Sequence, residues 1–155
     1  MFYALLKLLH LLCLIVWLGG MVFTHFFLRP ATLALEPAVR IRLMHGVLQR
    51  FFNVVQWAVL IVLGSGLWMV GRVAREVVQS GGHFAMPLGW TVMATLGLVM
   101  AAIFGHIRFA LFKRLQRAVA ATDWAAGAKA LRGIRTWVAM NMGLGGLTVV
   151  AALLL

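Results

Sequence analysis

Ala4-Leu-Leu-Lys7-Leu-Leu-His10-Leu-Leu-Cys13-Leu-Ile-Val-Trp17-Leu-Gly-Gly20-Met-Val-Phe-Thr24-His25-Phe-Phe-Leu28 carries one charge, Lys7, in a run long enough to cross a bilayer. A hydrocarbon core about 30 Å thick takes roughly 20 helical residues. Three further runs meet that length: Phe51 to Val70, Pro87 to Ile107 and Trp137 to Leu155. Hydrophobic residues make up 64% of the 155 positions and charged ones 11%, with a mean hydropathy of +1.02. The chain therefore reads as one all-α domain, a polytopic membrane protein built as a four-transmembrane-helix bundle. The first run is too long for a cleavable leader, and Val22 to Phe27 stays apolar where a small-residue cleavage site would fall, so it is expected to remain a helix.

The formal charge of +11 has a topological reading. Arg29, Arg40, Arg42 and Arg50 lie between runs 1 and 2, and Arg108, Lys113, Arg114, Arg117, Lys129, Arg132 and Arg135 between runs 3 and 4. The other face has only Lys7, Arg72 and Arg75. Basic residues spread between apolar runs, and not along one amphipathic face, argue against a nucleic-acid partner. By the positive-inside bias, both termini and the loop at Ser80 to His83 are expected on the periplasmic side. The basic connections should themselves be helical. Glu36-Pro37 is a start signal for a segment running on into helix 2, and Thr122 or Asp123 can cap a helix from Trp124 into helix 4. Helix ends projecting past the hydrocarbon would put their arginines on anionic headgroups, which makes membrane lipid the first expected partner.

Five histidines stand out in so apolar a chain. A fully charged residue at a helix centre costs on the order of 2.5–3.5 kcal/mol, so ionisable groups in a span usually face the bundle interior and mark a site. His10 and His25 are about 60° apart round helix 1 and about 22 Å apart along it, which puts them on one side in opposite leaflets. The two halves of the chain share a layout, with His25-Phe-Phe-Leu-Arg29 at the inner end of helix 1 and His106-Ile-Arg108 at the inner end of helix 3. Packed as parallel repeats, they would place His25 and His106 at equivalent depth. His45, a further candidate metal ligand alongside the inner pair, falls at or just below the inner interface, and His83 in the outer loop.

Two kinds of metal site follow. His25 and His106 could supply both axial nitrogens of a haem b, with Arg29 and Arg108 pairing its propionates. In the outer leaflet His10 with Cys13, and the loop pair His83 and Met86, offer imidazole and sulfur donors suited to Cu(I). The structural alternatives stand beside them. A lone histidine can bond a neighbouring carbonyl or threonine; His45 and His83 can be ordinary interfacial residues; Met86, Met93 and Met100 can be a packing seam. Cys13 has no partner for a disulfide within the chain. Gly64, Gly66, Gly143, Gly145 and Gly146 read as sites of close helix approach. The three acids, Glu36, Glu76 and Asp123, lie outside the spans, so there is no buried carboxylate relay and no hydrolytic constellation. Membrane oxidoreduction is the enzyme class left open.

Lys7-Leu-Leu-His10, Trp17-Leu-Gly-Gly20 and His25-Phe-Phe-Leu-Arg29-Pro30 resemble the first helix of the copper-resistance protein D (CopD) family. Gly105-His106-Ile-Arg108-Phe, Lys113-Arg114-Leu and the stretch from Asp123-Trp124 to Arg135 resemble the second half of its short, stand-alone members. The resemblance implies a multi-pass unit of bacterial inner membranes, associated with copper tolerance or uptake. A more distant resemblance, to HemJ-type haem-binding membrane proteins, rests on His10 and Trp17 with six residues between them. The chain departs from that pattern in having no lysine between Pro87 and Arg108. Three functions remain: a haem b redox protein exchanging electrons with a quinone or partner protein, a copper-binding or copper-uptake protein with its own partner, and a cofactor-free assembly or scaffold subunit. A homo-oligomer is compatible with all three.

Overall fold

Lipid offers a backbone no hydrogen-bond partners, so a spanning segment must satisfy its own N–H and C=O groups. A computed structural model describes residues 1–155 and shows how this chain does so. Four helices, α1 (Phe2–Ala31), α2 (Pro37–Gln79), α3 (Leu88–Ala120) and α4 (Trp124–Leu154), are each long and apolar enough to cross a membrane. There is no strand. The all-α four-helix architecture expected from the sequence is the one adopted.

The helices overrun the predicted spans, most of all at the basic end. α2 begins at Pro37, well before Phe51, and α4 begins at Trp124, well before Trp137. Both starts have local causes that the sequence signalled. Pro37 occupies the first turn, where its missing N–H costs nothing. The Asp123 carboxylate accepts a hydrogen bond from the Ala126 N–H at 2.9 Å, satisfying one of the orphan donors of the first turn. The extensions of α1 from Leu28 to Ala31 and of α3 from Ile107 to Ala120 arise differently. Each passes through one π-turn, Thr24–Leu28 in α1 and Ile107–Leu111 in α3, closed by Arg29 N–H to Thr24 O and by Phe112 N–H to Ile107 O. The wider turn lets the helix continue with its backbone satisfied.

α1 with α2 and α3 with α4 form two antiparallel hairpins, and α2 and α1 both also pack against α4. The hairpins repeat one another in their buried positions. Counting from the π-turns, Trp17 and Met21 of α1 correspond to Met100 and Phe104 of α3, and all four are buried. In α2, Ile41, Met44, Leu48, Phe52, Val55, Val59 and Ser65 are buried; in α4, Gly127, Ala130, Ile134, Val138, Asn141, Gly145 and Ala151 are buried at the same spacings. The shared layout predicted for the two halves thus extends to their packing faces.

A row of aromatic rings ties three helices together: Trp17 with Phe104 at 6.2 Å, Phe104 with Phe52 at 6.0 Å and Phe52 with Phe112 at 5.2 Å, all edge to face. That is the favoured geometry of aromatic pairs. Outward, Leu5, Leu8, Ile15, Trp57, Leu67, Leu98 and Leu153 are exposed, the side of a multi-pass protein that meets lipid. Small residues set the closest approaches. A Cβ on Gly145 would overlap Leu18 of α1 and one on Gly20 would overlap Phe51 of α2, whereas Gly64, Gly143 and Gly146 have nothing within 4 Å. The glycine reading therefore holds for Gly145 and, beside the His10 ring at 3.4 Å, for Gly66.

Gly145→Val should lower the stability of the detergent-solubilised protein by about 1–3 kcal/mol through overpacking, while Gly146→Val one residue on should leave it nearly unchanged. Paired thermal unfolding curves check this, and equal losses in both variants would contradict it.

Candidate functional site

The hairpin of α1 and α2 holds the first candidate. His10 Nδ1 lies 2.8 Å from the Ser65 hydroxyl, and Ser65 is buried. The hydroxyl has one proton, and it donates to the Ile61 carbonyl one turn back at 2.5 Å. Ser65 must then accept from His10, so the network assigns the His10 proton to Nδ1 and leaves Nε2 with a free lone pair. No side chain bonds to Nε2. Cys13 stands one turn further along α1, half-buried and with a free thiol. Side chains three apart on a helix have Cβ atoms about 5–6 Å apart.

The other outer residues are elsewhere. His83 is exposed in the connection between α2 and α3, beside Val77, Phe84 and Trp90. Met86 is 36% exposed. Neither His10 nor Cys13 lines that pocket, and no three His, Cys, Asp or Glu side chains come together as a metal-holding group. Of the methionines spaced at sevens, only Met100 is in the core, its sulfur 3.8 Å from the Thr148 hydroxyl.

At the basic end, a cavity of about 270 Å³ opens between α1, α2 and α4. His25 and Arg29 line it from α1, Thr32 from the chain just after, Arg40, Met44 and Leu48 from α2, and Arg132, Arg135 and Val138 from α4. Arg72–Glu76, at 2.7 Å near the opposite end of α2, is the one ion pair in the molecule. The cavity arginines therefore have no carboxylate partner.

His106 is not part of this cavity. It is exposed on α3, its ring 4.9 Å from Trp137. Trp137 does not line the cavity and lies about 160° round α4 from Arg135, which does, so His106 packs on a side of α4 other than the arginine wall beside His25. The π-turns give the reason: by their register His25 corresponds to Arg108, and His106 to Phe23. Arg108 is itself occupied between α2 and α3. Its guanidinium donates to Asn53 Oδ1 at 3.1 Å and lies 5.5 Å from the Phe112 ring centre. His45 stacks on that same ring at 5.5 Å, nearly parallel. His45 Nε2 and Arg108 Nε are buried without partners.

Several residues escaped the sequence reading as site residues. Ser65 was legible as the single hydroxyl inside the span of α2, between Gly64 and Gly66. Asn141 is the one amide of the apolar part of α4; it is 1% exposed and its Oδ1 has no partner. Arg40, Arg132 and Arg135 read as headgroup contacts, and nothing in their spacing shows that they surround a cavity.

Four apolar helices in two repeated hairpins, with polar side chains set between them, define a multi-pass membrane protein. A family model described as Copper resistance protein D (CopD) matches residues 45–155, and the chain belongs to that family. The match takes in most of α2 and all of α3 and α4, and leaves α1 with His10, Cys13 and His25 outside it. No curated protein and no solved structure matches the chain.

Asn141→Leu removes an unpartnered buried acceptor and keeps the four-atom branched outline of the side chain, at the cost of a bulkier group. Relief of the desolvation cost, about 1–3 kcal/mol, is partly offset by the added bulk, so stability should hold or rise modestly. Thermal unfolding of the purified protein reads the change, and a large loss would show that the amide has a partner in the folded protein.

Proposed function

We propose that this CopD-family membrane protein handles copper within the bilayer, with His10 as the principal Cu(I) ligand and Cys13 as the second. The carrying observation is the His10 to Ser65 hydrogen bond, which presents Nε2 as a free lone pair. A ligating histidine characteristically donates its other ring proton to a second group that fixes its orientation, and Ser65 supplies that group here. Imidazole and thiol donors suit soft Cu(I). Family membership adds the link to copper resistance. The work of the chain's own residues is then to bind and orient. Ser65 holds the ring and its tautomer, and Gly66 leaves room beside it. In this reading the protein lies in a bacterial inner membrane with both termini periplasmic, so that His10 receives the ion from the outer side.

Anaerobic titration against a colorimetric Cu(I) chelator tests the proposal. His10→Ala should abolish tight binding, Ser65→Ala should weaken it about 10–100-fold as loss of an orienting partner does, and His83→Ala should leave it unchanged. Wild-type affinity in His10→Ala would end the reading.

Haem b held by His25 and His106, with electron transfer to a quinone or partner protein, is the second reading. What favours it is the position of both histidines at the rare π-turns, a feature often found at functional sites. Their placement beside different walls of α4 does not fit a single bis-histidine site. A visible spectrum of freshly purified protein decides it: a Soret band lost in both His25→Ala and His106→Ala would displace the copper proposal as the leading one. The colourless protein, free of copper and of haem, is what a scaffold subunit would give.

A further inference from the structure

The repeat between the hairpins makes the basic cavity conspicuous, because the corresponding place in the other hairpin is filled. α3 continues nine residues beyond its π-turn as Phe112–Ala120, and Phe112 and Leu115 are fully buried there. α1 stops three residues beyond its own π-turn, at Ala31. By register, Arg29 stands where α3 has Phe112, and Thr32 where it has Leu115. An apolar plug in one half is replaced in the other by a guanidinium, a hydroxyl and open space. Thr32 remains buried at 3% exposure with its hydroxyl donating to the Arg29 carbonyl at 2.8 Å, so it fixes the wall and leaves the arginine side chains free to reach inward.

Four guanidiniums around one cavity repel one another unless an anion joins them. Every titratable group facing the space from α1, α2 and α4 is basic: His25, Arg29, Arg40, Arg132 and Arg135. Glu36, one turn before Arg40, forms no ion pair with it, and Asp123 is engaged in capping α4. Arg29 and Arg40 are half-buried, while Arg132 and Arg135 are exposed at the rim, so solvent screens the first pair less than the second. The floor is apolar, formed by Met44, Leu48 and Val138.

We infer that this cavity is a phosphate site, in which Arg29, Arg40, Arg132 and Arg135 hold a phosphate group above an apolar floor that takes the carbons attached to it. Arginine forks bind phosphate oxygens in pairs, which accounts for the absence of lysine from the lining. The phosphate belongs either to an anionic lipid headgroup entering from the bilayer or to a soluble phosphoanion. This inference is independent of copper binding at His10.

The test uses the full chain in mild detergent. Native mass spectrometry after incubation with phosphatidylglycerol or phosphatidylcholine reads the lipid arm; thermal unfolding in sodium phosphate against sodium chloride at equal ionic strength reads the soluble arm. Preference for phosphatidylglycerol assigns the headgroup, and stabilisation by inorganic phosphate alone assigns a soluble ligand. In either case Arg40→Gln with Arg135→Gln should weaken the response about tenfold or more, the scale of a lost charge-assisted hydrogen bond. Arg40→Lys with Arg135→Lys, which keeps the charge, should retain part of it. Arg114→Gln with Arg117→Gln, removing equal charge from the exposed face of α3, should retain all of it. Wild-type protein with neither lipid preference nor phosphate response overturns the inference, and so does an equal loss in the cavity and control pairs.

Discussion

Everything in this molecule follows from the requirement that backbone groups in lipid satisfy one another. Of 134 backbone hydrogen bonds, 119 lie within the helices, so irregular backbone is confined to three short connections. Chemistry cannot then be placed on long loops, as soluble enzymes commonly place it. It must sit on side chains that face gaps between helices: the seam of α1 with α2 at His10, the basic cavity at the other end, and the contact of α2 with α3 that holds Arg108, Asn53 and His45.

The repeated hairpins show how such gaps arise without loss of the fold. Buried positions recur at the same spacing in both halves, but their occupants differ. His10 and Ser65 of the first half correspond by register to Met93 and Ala151 of the second, so the imidazole and the hydroxyl that orients it occur once. Val55 corresponds to Asn141, and the buried amide also occurs once. One packing scheme therefore supports several local chemistries, each made by substitution at a position whose neighbours are already fixed.

Much of the architecture was legible in the sequence because apolar length and charge placement are one-dimensional properties. The Glu36-Pro37 start and the Asp123 cap were readable for the same reason, since a cap acts over three or four residues. The pairing of His25 with His106 was not. It rested on matching two histidines in similar sequence surroundings, whereas the repeat of buried positions aligns His25 with Arg108, two residues beyond His106, and His106 packs beside Trp137. The basic cavity was illegible for another reason: Arg29, Arg40, Arg132 and Arg135 come from three helices, and only the early end of α1 makes the space they share.

The π-turns also alter how each helix can be read along its length. A turn closed over five residues in place of four resets the angular phase of all that follows. With one residue inserted, the inward stripe of α3 reaches Phe112 eight residues beyond Phe104, and that of α1 reaches Arg29 eight residues beyond Met21. Each helix therefore carries two wheels held at a fixed offset on one unbroken axis. A residue gained or lost at the turn would rotate the whole basic end against its neighbours, so the turn sets which side chains meet at that end.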